Sequence, residues 1–309
     1  MHFRSFHELL GEVPSRRVPV AVAAAGDAEV LSAIKEAEDK GWVEPIRVGD
    51  PERLEAAAKA VGYSLPGDDR IIAASDERQA ARLAVDVVRS GRAEMLMKGL
   101  IETSDFLRAI LDREHGLRKG ERKMSHLAVL EDPLHHRLYF LSDAAVNVQP
   151  DLLMKTEIVR NAVEALHALD IEEPLVAALA AVEVVDPAMP ATVDAANLSK
   201  MSERGQLPRC IVDGPLALDN AISREAALHK GIRSAVAGEP DLLVVPNIEA
   251  GNVLYKAFTY FQGARTAGIL LGAQCPIVLT SRADPPEAKL LSIGIGMRVA
   301  AGQNIHAAH

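Results

Sequence analysis

The feature that most constrains this chain is an alternation, kept up over nearly its whole length. Short apolar runs rich in Val, Ile, Leu and Ala take turns with longer segments whose apolar residues recur three and four apart. The short runs, bounded by Gly, Asp or Pro, read as strands and the longer segments as amphipathic helices. Residues 18–24 form such a run, ended by Gly26-Asp27, and Asp27 is placed to cap a helix carrying Val30, Leu31, Ile34 and Ala37 on one face. A strand over 45–48, a helix over 51–61, a strand over 71–74, a helix over 77–90 and a strand over 95–98 follow.

The pattern changes after a helix at 104–111. A basic, glycine-containing loop at 113–123 leads into strands at 126–130 and 137–142, whose short link suits an antiparallel hairpin. A second α/β series follows, with helices at 151–169, 191–204, 224–230 and 249–262 and strands at 175–180, 210–212 and 241–245. The chain finishes with a strand at 277–280 and a helix from about 285. Repeated βα units predict mostly parallel sheets with helices on both faces. At 309 residues the chain exceeds a typical single core, so two α/β domains facing a cleft are expected. The expected division is 1–130 plus 271–309 for the first domain and 131–270 for the second.

The formal charge of −9 argues against a nucleic-acid or membrane-surface partner, which calls for a basic face. An anionic small ligand needs only a local cluster of Arg, Lys and helix N-termini. Aromatic residues are 4% of the chain, so aliphatic side chains must fill the core. Cys210 and Cys275 show no metal-ligand spacing and read as reduced, structural thiols. The N-terminal stretch has no long apolar region of the secretory kind, and no apolar run approaches the roughly 20 residues of a membrane span, so a cytoplasmic protein is expected. No GxxxxGK[ST] or GxSxG motif occurs. Gly294-Ile-Gly296 lacks a third glycine and reads as helix-packing glycine. The adjacent His135-His136 diverge on a strand and make no metal site.

Five stretches have residues able to carry chemistry. Met97-Lys98-Gly99, followed by Thr103, Ser104 and Arg108, is either a strand, glycine turn and hydroxyl-capped helix, or a helix N-terminus that receives a phosphate. Ser142-Asp143-Ala144-Ala145 ends a strand on small residues that let a ligand approach the backbone. Asp213-Gly214-Pro215 ends a strand in a turn, with Asp219 and Asn220 beyond it. Asn247 caps a helix that contains Gly251-Asn252. Glycine inside a helix costs about 1 kcal/mol relative to alanine, so a close approach is expected there. Last, the apolar strand 277–280 runs into Ser281, Arg282 and Asp284. Polar groups recurring at strand carboxyl ends are what an α/β active site produces.

In their order along the chain, MKGLIETSDFLRAIL, LSDAAVNVQPD, PATVDAANLSKMSERGQ, DGPLALDNAIS, VVPNIEAGNVLYKAF and GILLGAQCPIVLTSRAD resemble blocks of the phosphate acetyltransferase/phosphate butyryltransferase family, with wording closer to the butyryl branch. The resemblance implies reversible transfer of a short acyl group between coenzyme A and inorganic phosphate, without metal or redox cofactor. It also implies two three-layer α/β/α domains of the isocitrate/isopropylmalate dehydrogenase-like type, with the site in the cleft, and a homodimer. By the same resemblance Arg282 stabilises phosphate and oxyanion, and Ser281 hydrogen-bonds the departing sulfur. Thr103 and Arg108 bind phosphate, with Lys98, Gly99, Ser104, Asp143, Ala144, Asp213, Asn247 and Asn252 on the substrate side. The chain departs from the family in three places. Ala288 stands where the acetyl branch has an aspartate, leaving Glu287 and Asp284 as the nearest carboxylates for a base. Ala144 replaces a cysteine, and Asn247 a more usual aspartate. Two rivals are a non-catalytic CoA- or acyl-phosphate-binding sensor and an NAD- and metal-dependent dehydrogenase of the same fold. The latter lacks both a dinucleotide signature and a close aspartate pair in the second half.

Overall fold

The computed structural model describes residues 3–11, 16–280 and 284–307. In chain order the first elements are α1 (Phe6–Leu10), β1 (Val18–Ala23), α2 (Ala28–Asp39), β2 (Val43–Gly49), α3 (Pro51–Ala60), β3 (Ile71–Ala73), α4 (Glu77–Arg89), β4 (Met95–Lys98) and α5 (Thr103–Ile110). Then come β5 (Ser125–Asp132), β6 (Arg137–Ser142), α6 (Leu152–Ala168), β7 (Leu175–Leu179), α7 (Pro190–Glu203), β8 (Ile211–Leu216), α8 (Leu218–Ile222), α9 (Arg224–His229), β9 (Leu242–Val244) and α10 (Ile248–Phe261). The last are β10 (Arg265–Leu271), β11 (Ile277–Val278) and α11 (Pro286–Ala307).

The chain forms two compact units, Leu10–Arg122 with Ala267–His309, and Met1–Leu9 with Lys123–Thr266. In the first, β3, β2, β1, β4 and β11 run parallel in that order, and β10 lies antiparallel beside β11. β1 is apolar throughout and buried along nearly its whole length, as a strand covered on both faces should be. The helices that follow β1, β2 and β3 each begin on an aspartate. Asp27 accepts from the Val30 N–H at 3.0 Å, Asp50 from Arg53 at 2.9 Å and Asp76 from Gln79 at 2.8 Å. Each cap satisfies a donor that the first helical turn leaves without an intrahelical partner. α11 packs against α2, burying Leu290, Leu291, Ile293, Ile295 and Met297. A Cβ on Gly294 would meet Leu10 at 2.8 Å, and one on Gly296 would meet the Met95 sulfur at 2.5 Å. Both are packing glycines, as their sequence context implies.

In the second unit β5 and β6 form the expected antiparallel hairpin, and β6, β9, β7 and β8 continue in parallel. His135 sits in the hairpin turn and bonds Asp132 at 2.6 Å. The core gathers Leu130, Tyr139, Leu141, Leu216, Leu243 and Phe258.

The structure corrects four local readings. β10 is an additional strand, and its antiparallel pairing with β11 is the exception in an otherwise parallel set. β8 does not stop at Asp213-Gly214-Pro215 but continues to Leu216, with a register irregularity against β7 between Ala177 and Leu179. α8 is a further short helix before α9. The helix α5 begins at Thr103 after Glu102, with no side-chain cap bond, so neither Thr103 nor Ser104 caps it.

Candidate active site

In the first unit the carboxyl ends of β1, β4 and β11 open onto one cavity of ≈140 Å3. β4 delivers Lys98 and the turn Gly99-Leu100. The chain beyond β11 delivers Thr280, α2 brings Asp27 and Glu29, and α11 brings Lys289. Gly99 is required by the turn itself. Its N–H donates to Ala23 O at 2.8 Å and the Leu100 N–H to Ala24 O at 2.9 Å, so the turn lies against the end of β1.

Both lysines are deeply placed, Lys98 at 5% exposure and Lys289 at 3%. A buried ammonium is costly unless it is paired and hydrogen-bonded. Lys289 Nζ meets that requirement through Glu29 Oε2 at 2.9 Å and the Asp284 carbonyl at 2.6 Å. Lys98 Nζ lies 3.4 Å from the Gly99 carbonyl. Asp27 is occupied as the cap of α2, whereas Glu29 is 59% exposed at its side chain.

Beside this cavity the ends of β1, β2 and β3 frame a second space of ≈110 Å3, lined by Gly26, Gly49, Asp50, Arg53 and Asp76 among others. The Gln79 N–H holds the Asp76 carboxyl below its ordinary range. A third space, a groove of ≈480 Å3 along α4 and α5, takes Arg78, Arg82, Arg108 and His115 together with Asp86, Asp105 and Asp112. Asp105 receives Arg78 at 3.1 Å and Arg108 at 2.5 Å, and the Arg78 bond foremost pulls its pKa down.

The expected site residues therefore fall into separate groups. Lys98 and Gly99 share the strand-end cavity with Thr280 and Lys289. Thr103 and Ser104 lie exposed in the first turn of α5, and Arg108 points to the α4–α5 groove. Ser281 and Arg282 lie outside the described residues. Asp284 is half-buried, Glu287 is exposed in the first turn of α11, and Ala288 is buried.

In the second unit Asp143 is buried after β6 and takes the backbone N–H groups of His126, Ala145 and Val146 and the Asn147 amide. These donors tie the 143–147 turn together. Ala144 is buried, and its carbonyl accepts from Asn252 Nδ2 at 3.3 Å. A Cβ on Gly251 would meet Asp143 O at 2.7 Å and Ala144 Cα at 2.9 Å. The close approach that admits glycine into α10 is thus to this turn's backbone. Asn247 caps α10 through the Ala250 N–H at 3.0 Å. Asp213 accepts from the Gly214 N–H. Beyond β7 and β8, Lys230 bridges Glu183 and Asp219, both at 3.1 Å, and the Glu183 bond foremost raises the Lys230 pKa.

Sequence reading passed over Lys289 and Glu29. A signal existed: Lys289 stands between Ala288 and the mostly apolar stretch Leu290-Leu291-Ser292-Ile293. Its burial, and its meeting with Glu29 across some 260 residues, are tertiary facts. Among the described residues no group of three or more His, Cys, Asp or Glu is arranged to hold a metal ion.

Comparison with known proteins bears on the same elements. Residues 69–295 match the profile of the family described as phosphate acetyl/butaryl transferase. The chain is 48% identical over 298 residues to the phosphate butyryltransferase of Clostridium acetobutylicum, covering 96% of this chain and 98% of that relative. It is 42% identical over 278 residues to the phosphate acetyltransferase of Thermotoga maritima, covering 89% and 93%. The crystal structure of a branched-chain phosphotransacylase from Enterococcus faecalis V583 matches with a TM-score of 0.79 at 33% identity, over 92% of this chain and 99% of that one.

Proposed function

Because this chain belongs to the phosphate acetyl/butyryl transferase family, we propose that its strand-end cavity serves acyl transfer to phosphate, with a short acyl group of acetyl to butyryl length as cargo. The chain is an acyltransferase of the butyryl type: it carries out acyl-CoA + phosphate = CoA + acyl phosphate, reversibly. The observation that carries the site assignment is the convergence of Lys98, Gly99 and Thr280 on one cavity at strand carboxyl ends, inside the matched region.

The chemistry follows from the charges that must be held. A phosphate oxygen attacks the thioester carbonyl carbon, forming a C–O bond and a tetrahedral oxyanion. The oxyanion collapses, the C–S bond breaks, and its electron pair leaves on the CoA sulfur. Both the phosphate and the oxyanion need fixed donors. Arg282, whose planar guanidinium offers paired N–H groups, is the proposed one. Ser281 is assigned to the departing sulfur, and Thr103 and Arg108 to the anionic substrates. In the direction of CoA acylation a carboxylate takes the thiol proton, and Asp284 and Glu287 are the candidates beside Ala288. The reaction as written calls for no metal or redox group. Each unit is proposed to be a three-layer α/β/α body of the isocitrate/isopropylmalate dehydrogenase-like type, and the protein a cytoplasmic homodimer.

The test is free-thiol release from acetyl-, propionyl- and butyryl-CoA, with and without phosphate. Phosphate-dependent release, fastest with butyryl-CoA, is the expected result. CoA binding without release from any thioester would overturn the reading in favour of a sensor.

A further inference from the structure

Ser281 and Arg282 are assigned the chemistry, and the chain is held at a described point on either side of them. Upstream, β11 pairs with β4 through Val278 and Met97, and Thr280 is buried at the strand-end cavity. Downstream, Asp284 is followed by Pro285 and by Pro286, the first residue of α11. Each proline fixes its own φ, and Pro285 also disfavours helical backbone at Asp284. Three residues, Ser281, Arg282 and Ala283, separate Thr280 from Asp284.

Lys289 secures the downstream point. From the first turn of α11 its Nζ reaches back to donate to the Asp284 carbonyl at 2.6 Å, and it donates to Glu29 Oε2 at 2.9 Å. Glu29 lies in the first turn of α2, the helix against which α11 packs. The ammonium therefore ties the lead-in of α11 to a second helix of the same unit. Lys289 is 3% exposed, whereas the Glu29 side chain is 59% exposed. Such a pair adds little stability, because desolvating the ammonium offsets its attraction to a solvated carboxylate. An apolar side chain of similar volume often packs as well or better. The value of a lysine here lies in what its N–H groups hold in place.

We propose that Lys289 is a positioning residue for the acyl transfer. Anchored on Glu29, it fixes the Asp284 carbonyl and through the backbone sets the reach of Ser281 and Arg282 toward their substrates. It acts without touching substrate itself. The inference rests on the acyltransferase roles given to Ser281 and Arg282 above.

A positioning role separates turnover from both binding and stability. The experiment measures initial rates with butyryl-CoA and phosphate, each varied, and thermal melting, for the wild-type protein, Lys289→Met, Lys289→Arg and Glu29→Ala. On the same proteins, trypsin cleavage of the Arg282–Ala283 bond is followed by fragment mass. Lys289→Met should lower kcat by about 10- to 100-fold, the effect of displacing a catalytic group by about 1 Å, with both KM values within about 3-fold. Its melting temperature should stay level or rise. Lys289→Arg, which keeps the charge and the donors, should recover most of the lost kcat. Glu29→Ala removes one of the two anchors and should lower kcat by about 3- to 10-fold. Cleavage at Arg282–Ala283 should quicken by about 10-fold or more in Lys289→Met, as expected on losing one hydrogen bond to a charged group.

An unchanged kcat in folded Lys289→Met would overturn the proposal, whatever its melting temperature. A phosphate KM raised by about 10-fold or more at unchanged kcat would also overturn it, by putting the ammonium on substrate. If Lys289→Met does not fold, Glu29→Ala decides alone, and a wild-type kcat in that variant overturns the proposal. Absence of phosphate-dependent thiol release from the wild-type protein would instead remove the acyltransferase reading. The trypsin assay needs no turnover: equal cleavage rates in the wild type and Lys289→Met would still overturn the tether.

Discussion

Replacing Gly99 by alanine tests how the strand-end turn is built. The added Cβ would fall on the carbonyl oxygens of Ala24 and Ala23, the latter at 2.5 Å. A carbon normally stays at least about 3.3 Å from a carbonyl oxygen, so the turn must withdraw by roughly 1 Å. The same two oxygens accept the Gly99 and Leu100 N–H groups at 2.8 and 2.9 Å. A withdrawal of that size lengthens both bonds past useful range. Each is worth about 0.5–1.5 kcal/mol net, and residual overpacking adds about 1–3 kcal/mol, which together give about 3 kcal/mol. Trp42, the single tryptophan, lies in the same unit, so its fluorescence reports unfolding of the affected body. With a urea m-value of about 1–3 kcal/mol/M, the midpoint should fall by about 1–3 M. Gly67→Ala is the control: nothing lies within 4 Å of its Cβ position, and the change should be neutral or stabilising by about 0.4–1 kcal/mol. A Gly99→Ala protein with an unchanged midpoint but no phosphate-dependent thiol release would refute the reasoning. It would mean that the space beside Gly99 belongs to substrate and not to β1.

Four further outcomes are expected. Asn247→Ala should cost about 1 kcal/mol in denaturant unfolding by removing the cap of α10, whereas Asn247→Asp, which keeps the accepting oxygen, should stay within about 0.5 kcal/mol. Burial pushes the Cys275 thiol up to about 12 and Cys210 up to about 11, so a thiol reagent at pH 8 should label both only after unfolding. Both thiols hold their protons more tightly folded than unfolded. Their contribution is therefore complete below the unfolded value near 9 and is lost as pH rises toward 11 and 12, and urea midpoints at pH 8 and pH 10.5 should show that fall. Arg282→Ala should reduce turnover by about 100-fold or more with an unchanged melting temperature, and near-wild-type rates in the folded variant would remove its assigned role.

The local features of this protein were legible in its residues. Asp27 and Asn247 read as helix starts because a cap is an interaction over three positions, complete within the segment that encodes it. The alternation of strand and helix was equally plain, since burial on both faces demands the unbroken apolar runs of β1 and β4. The ordered blocks that marked the family were present as words in the chain.

What the residues left open depended on partners far away in sequence. β10 escaped notice because Arg265-Thr-Ala-Gly268-Ile269 carries a glycine at its centre and follows α10 closely. Its hydrogen bonds to other strands, β11 among them, make it a strand. Gly251 signalled a close approach, but nothing nearby in the chain said that the approaching group was the backbone of Asp143 and Ala144. Lys289 is the sharpest case. Its identity is ordinary for a helix, and its consequence comes from α11 packing against α2, which buries the ammonium and brings Glu29 to it. Sequence by itself determined the order of strands and helices, where most helices begin, and the family. Tertiary structure alone decided which charges are buried and which of them meet, because desolvation and Coulomb energy depend on distances in space that no local pattern of residues encodes.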